Sequence, residues 1–244
     1  MTSETMTFAK AGDLLRRYRP TILHAEGGPP LARVGTPGAH HDAGLTDDGV
    51  LIITGSNSLY DYSAYNLRPL RTLARFRHMP EIERLTADGL PLEAYHRGFL
   101  LHAARVLNFL GREKPRFIVG HSLGAAAAQI LGTALDVPTI AFASPQVVKR
   151  RFLKPYAFRQ PDHPQWNVFN IAWKQDLVAR GYRLTGLRCL GHRKMLDLES
   201  WNIGIDHFVD DYLRLLDLDA SKGADRLVPV SWRVAGYPLP STLV

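Results

Sequence analysis

The chain has 244 residues, enough to bury a sizeable core as one domain over 1–244. Hydrophobic residues make up 45% and charged residues 22%, a globular balance that excludes a disordered chain, and no apolar run approaches the ~18 residues a spanning helix needs. The single cysteine excludes an internal disulfide framework, and the net charge of +7 leans toward anionic partners while saying nothing about fold.

Residues 8–19 carry Leu14, Leu15 and Tyr18 at helical spacing and predict a short amphipathic helix. Residues 26–49 are rich in Gly, Pro and Asp and predict a loop. That loop holds His40, His41 and Asp42, whose spacing suits neither a helical nor a hairpin metal site, so no metal is expected. Residues 50–54 form a short apolar run with β-branched members and predict a buried strand. Leu100, Leu101, Ala104, Leu107 and Leu110 predict a helix over 93–110, stopped by Gly111. A second buried strand follows at 116–119, then an Ala-rich helix over 123–135 that ends before Val137-Pro138. Residues 139–142 and 167–171 predict a third and a fourth strand. Residues 183–198 suggest a hairpin folding over Gly191, and residues 206–217 a last amphipathic helix.

Strands separated by helices imply an α/β fold with a mostly parallel sheet and helices on both faces. Such folds bind ligands outside the carboxyl ends of their strands. Gly120-His121-Ser122-Leu123-Gly124 stands at one such end and matches G-x-S-x-G. A strand runs into it and a helix leaves it, which is the setting of a nucleophile elbow. A serine there needs a histidine base and an acid that orients the base. Three histidines follow Ser122: His163, His192 and His207. His163 lies between prolines before the fourth strand and His192 lies in the expected hairpin, whereas His207 opens the last helix. Asp176 follows the fourth strand, Asp162 precedes it, Asp197 falls in the hairpin, and Asp206 adjoins the base. The order Ser122, Asp176, His207 is therefore the favoured set. Thiol catalysis by Cys189 with His192 is the weaker choice; a small buried hydrophobe accounts for that residue.

These segments resemble the fungal-type, or class 3, lipases of the α/β-hydrolase superfamily, most strongly over residues 50–215. The resemblance rests on Ile53-Thr54-Gly55-Ser56 with Asp61-Tyr62, on His96-Arg97-Gly98-Phe99, and on the elbow. It continues through Phe142-Ala143-Ser144-Pro145-Gln146-Val147, Asn170 with Asp176-Leu177-Val178, Leu190-Gly191-His192, and His207 with Tyr212. It implies an α/β-hydrolase fold and a carboxylic ester hydrolase (a lipase or esterase) with no cofactor. Ser122, Asp176 and His207 would form the triad. Ser56, through its N–H and hydroxyl, and the Leu123 N–H would form the oxyanion hole. A lid would begin at Asn57, reach as far as Pro91, and bring Leu59, Tyr60 and Tyr62 to the substrate. Thr54, Ala125, Gln146 and Leu177 depart from the usual residues without removing a catalytic group.

The expected partner is a lipid or acyl-ester substrate. The lid span's basic residues, Arg68, Arg71, Arg75, Arg77 and Arg84, would allow peripheral contact with an anionic membrane surface or simply form a solvated face. A second basic group, Lys149, Arg150, Arg151, Lys154 and Arg159, reads as a solvated face, and no nucleic acid is expected. The amino-terminal segment has no apolar core of a secretory signal, so the cytoplasm is the default location, with signal-independent export left open. The same triad would also serve a phospholipase, thioesterase or acyltransferase. A catalytically silent lipid- or protein-binding module is the reading from another class.

Overall fold

The computed structural model describes residues 5–6, 8–17, 31–38, 41–55, 80–86, 90–153, 167–174, 176, 178–179, 186–196 and 232–233. In chain order these form β1 (Thr5–Met6), α1 (Phe8–Arg17), β2 (Leu31–Gly38), β3 (His41–Thr46), β4 (Val50–Ile53), α2 (Pro80–Leu85) and α3 (Arg97–Leu110). There follow β5 (Phe117–His121), α4 (Leu123–Leu135), β6 (Thr139–Phe142), β7 (Val148–Lys149), β8 (Val168–Trp173), β9 (Leu187–Arg188), β10 (His192–Leu196) and β11 (Trp232–Arg233). The expected helix at 206–217 lies outside the described residues.

Among the described residues, seven strands make one sheet in the order β10-β8-β6-β5-β4-β3-β2. Strands β4, β5, β6, β8 and β10 run parallel, while β2, β3 and β4 form an antiparallel meander at one edge. This is the mostly parallel sheet of an α/β fold that the alternation of strands and helices predicted. All four residues of β4 and all four of β6 are buried, as parallel strands covered on both faces require.

Side chains alternate across the sheet, so each strand serves two cores. Leu51 and Ile53 of β4 and Ile118 of β5 face α2, α3 and α4, where they join Leu85, Phe99, Leu107, Leu123 and Ile130. Val50, Ile52, Phe117, Val119, Ile140 and Phe142 are buried on the opposite face. There α1, which lies against β4, β5 and β6, buries Ala11, Leu14 and Leu15. Each buried Val, Leu, Ile or Phe side chain contributes about 1.5–3 kcal/mol. None of the described helices is long and apolar enough to cross a membrane.

Two sequence expectations are overturned. Residues 26–49 are not simply a loop, because β2 and β3 occupy 31–38 and 41–46. Register shifts between Leu31 and Arg33 and between Gly35 and Gly38 interrupt the pairing of β2, which is the edge strand of this sheet among the described residues. Residues 183–198 are not a hairpin either. Strand β9 pairs antiparallel with β7, while β10 pairs parallel with β8, so the two halves join different partners. Gly191 separates them at φ 76°, packed so tightly on Val168 that a Cβ would lie 2.6 Å from the Val168 Cβ and on its carbonyl oxygen.

The α3 helix also starts later than periodicity suggests. Residues 92–94 form a single 3-10 turn. Tyr95 bridges to Val148, and the His96 N–H donates to the Val147 carbonyl at 2.7 Å, which holds the chain extended until Arg97. Part of the expected lid span belongs to the core: Ile82 and Leu85 of α2 are buried against α3 and α4.

Gly191 and Gly111 separate crowding from backbone conformation. Both have positive φ, but a Cβ at Gly111 meets nothing within 4 Å. Gly111→Ala should cost about 1–3 kcal/mol from the strained positive-φ backbone alone. Gly191→Ala should cost clearly more, because the Val168 backbone must also move. Urea midpoints of the two variants would check this difference.

Candidate active site

The elbow is built by steric exclusion. A Cβ on Gly120 would lie 2.7 Å from the Ala128 Cβ and 2.8 Å from the Ala125 Cα. A Cβ on Gly124 would fall on the carbonyl oxygens of Ile53 and Thr54. With both positions bare, α4 starts directly against the ends of β4 and β5. The turn between strand and helix then has one residue in which to reverse, and Ser122 takes φ 53°, ψ −121°.

That conformation separates the elbow from an ordinary helix cap. A capping serine has extended backbone and turns its oxygen onto the first-turn N–H groups. Ser122 has positive φ, and its side chain makes no cap hydrogen bond to α4. Its own N–H donates to the Phe142 carbonyl at 2.9 Å, and its carbonyl accepts from the Ala126 N–H at 3.2 Å. The backbone on both sides of the serine is thus tied to the sheet and the helix. Leu123, the first residue of α4, has an N–H with no intrahelical acceptor at the positive end of the helix dipole. Ala143, at the adjacent end of β6, also has positive φ (53°), so two strained residues adjoin at this edge of the sheet.

The segment after β4 arrives beside the serine. A Cβ on Gly55 would stand 3.1 Å from the Ser122 Cβ and 3.1 Å from the His121 Nδ1. Ser56, the expected oxyanion residue, follows directly in sequence but lies outside the described residues. So do His207 and the expected lid residues Leu59, Tyr60 and Tyr62.

Asp176 is described. It comes three residues after Trp173, which ends β8, and its own N–H donates to the Trp173 carbonyl at 3.2 Å. Its side chain is 2% exposed. Oδ1 accepts the N–H groups of Val178 (2.8 Å) and Ala179 (3.0 Å), so the carboxylate caps the helical turn that follows it. Strands β5 and β8 both run parallel to β6 and flank it, which places Ser122 and Asp176 at the same carboxyl edge of the sheet. Their strands are two spacings apart, about 10 Å.

Sequence reasoning missed a buried polar network behind the site. Gln129 of α4 is fully buried, and its Nε2 donates to Ser144 Oγ and to the Pro145 carbonyl (3.0 Å). Its Oε1 accepts the Leu190 N–H at 2.9 Å, and Asn170 Nδ2 of β8 donates to the Leu190 carbonyl at 2.6 Å. A lone Gln on an Ala-rich helix and a lone Asn in an apolar strand were the available signals. Arg193 of β10 was also missed; its Nη2 donates to the Ala179 carbonyl at 2.8 Å. Among the described residues no cluster of His, Cys, Asp and Glu could hold a metal ion.

Cys189 is buried and free, as a small hydrophobe would be. Burial pushes its thiol pKa up, while Arg193 and Arg188 pull it weakly the other way. A raised pKa is the reverse of what a thiolate nucleophile needs.

No protein-family model and no curated protein matches the chain. Solved structures do. The Lip2 lipase of Yarrowia lipolytica aligns with 19% identity and a TM-score of 0.45, over 62% of this chain and 60% of that one. The Rhizomucor miehei lipase in its propeptide complex aligns with 16% identity and a TM-score of 0.48, over 79% of this chain and 70% of that one. The chain thus spans about three-fifths of the Yarrowia lipase's length. Likenesses this distant carry no argument about activity, which has to come from the chain's own residues.

The protonated Cys189 thiol stabilises the fold below the ordinary thiol pKa of about 8.5, and that contribution is lost as pH rises through the higher folded value. At pH 8 iodoacetamide should alkylate the native protein more slowly than the urea-unfolded chain, because burial both shields the thiol and keeps it protonated. Timed mass spectrometry would measure both rates.

Proposed function

We propose that the protein is a serine-dependent carboxylic ester hydrolase acting on lipid or other acyl-ester substrates. The observation that carries the reading is the backbone of Ser122: positive φ, no capping bond to α4, and glycines at 120 and 124 where a Cβ would collide. A strained serine at a strand-to-helix turn has no structural use that a relaxed cap would not serve better.

In the proposed mechanism His207 takes the proton from Ser122, whose Oγ attacks the ester carbonyl. The Leu123 N–H and Ser56 hold the oxyanion, each donor lowering the barrier by about 3 kcal/mol. Asp176, its Oδ1 already anchored on two backbone N–H groups, orients His207 and stabilises the imidazolium. The leaving alcohol takes the proton from His207, and water then cleaves the acyl-enzyme. No cofactor enters any step. Leu59, Tyr60 and Tyr62 belong to this proposal as residues that meet the acyl chain.

A fluorophosphonate probe should label the wild type and fail on Ser122→Ala. Asp176→Asn should fold and lower kcat on a short-chain p-nitrophenyl ester by about 10³–10⁴-fold. Absence of wild-type labelling would replace the hydrolase reading with that of a silent binding module. A panel of triacylglycerols, phospholipids and thioesters would then rank lipase, phospholipase, thioesterase and acyltransferase chemistry.

A further inference from the structure

We propose that Arg193 is a positioning residue for Asp176, fixing the acid's loop against the far strand of the sheet. The inference rests on the triad reading above.

The loop that carries Asp176 is held at its start by its own carboxylate, which accepts the Val178 and Ala179 N–H groups. That bond makes the turn follow the carboxylate; it does not set where the pair sits relative to Ser122. Besides the Asp176 N–H bond to Trp173, a tie to the next strand runs through Ala179. While its N–H donates to Asp176, its carbonyl accepts the Arg193 guanidinium at 2.8 Å. One peptide-linked residue thus joins the acid on one side to β10 on the other.

Strand β10 is itself anchored to the nucleophile's helix. Gln129 of α4 accepts the Leu190 N–H and Asn170 of β8 donates to the Leu190 carbonyl, gripping that residue from both sides. Gly191 then turns at positive φ on Val168, with no room for a Cβ, and β10 starts at His192. Arg193 is the second residue of that strand, paired in register with Asn170. The bonds therefore run from α4, whose first turn follows Ser122, through Gln129, Leu190, Arg193 and Ala179 to Asp176. A charged donor to a carbonyl is stronger than a neutral one, and the part-buried setting reduces competition from water.

The test uses the full chain and a short-chain p-nitrophenyl ester. Arg193→Met keeps much of the apolar stem and removes the donor. It should lower kcat by about 10- to 100-fold, the cost of a misplacement near 1 Å, with KM within about twofold and Tm close to wild type. Arg193→Lys, which keeps a charged donor, should recover most of the loss. In an Asp176→Asn background Arg193→Met should add little, since the two residues act in series. If Arg193→Met does not fold, Arg193→Gln, with an amide donor on a shorter stem, takes its place in the same cycle.

Wild-type kcat in the Arg193 variant overturns the proposal. So does an equal loss with and without Asp176, or a rise in KM alone. A wild type that neither labels nor hydrolyses overturns the triad reading and this inference with it. An active wild type beside an unaffected Arg193 variant overturns this inference alone.

Discussion

The approach of α4 to the ends of β4 and β5 leaves no volume for a side chain at position 120 or 124, and the site depends on that contact. If the helix stood back by the radius of a methyl group, the turn could relax and Ser122 would become an ordinary cap. Because it does not, the backbone at Ser122 is forced to positive φ. Ala125, Ala126, Ala127 and Ala128 extend the same condition along the helix. They are all fully buried, and their small volume lets α4 lie close to the sheet. Farther along, a Cβ on Gly132 would overlap Thr139 of β6, so the close packing runs from the elbow almost to the helix end at Asp136.

A helix packed this way can slide unless something polar registers it. An apolar face has many positions of similar energy, whereas a buried amide has few, because leaving it unpaired costs about 1–3 kcal/mol. Gln129 meets Ser144, Pro145 and Leu190 at once, so one side chain ties α4 to the loop after β6 and to the start of β10. Asn170 adds β8 through the same Leu190. The helix that follows Ser122 and the strand that leads to Asp176 are therefore tied together by directional bonds.

Local pattern was a good guide where an element's neighbours covered it completely. The Ala-rich helix at 123–135 and the strand at 139–142 have the bounds their sequences suggest, because each is largely buried and mostly apolar and stops at polar or turn residues. It was a poor guide at the sheet's edges. Strands β2 and β3 are built from Gly- and Pro-bearing segments, and their pairing with β4 through Ala43 and Leu45 outweighs weak strand propensity. Residues around Gly191 suggest a hairpin by composition, yet β9 and β10 find separate partners in β7 and β8.

By itself the amino-acid sequence determined the α/β class, the order of the parallel strands' core segments along the chain, the glycines of the elbow, and the placing of Ser122 and Asp176 after strand ends. Those features follow from side-chain volume and from period, which act between residues close together in the chain. Tertiary structure alone decided that β10 lies parallel beside β8, that Gln129 and Asn170 share Leu190, and that Arg193 meets the carbonyl of Ala179. Each of these joins segments distant along the chain. Such pairings depend on which carbonyl is left without a donor once the sheet has assembled, a quantity no local window of sequence contains.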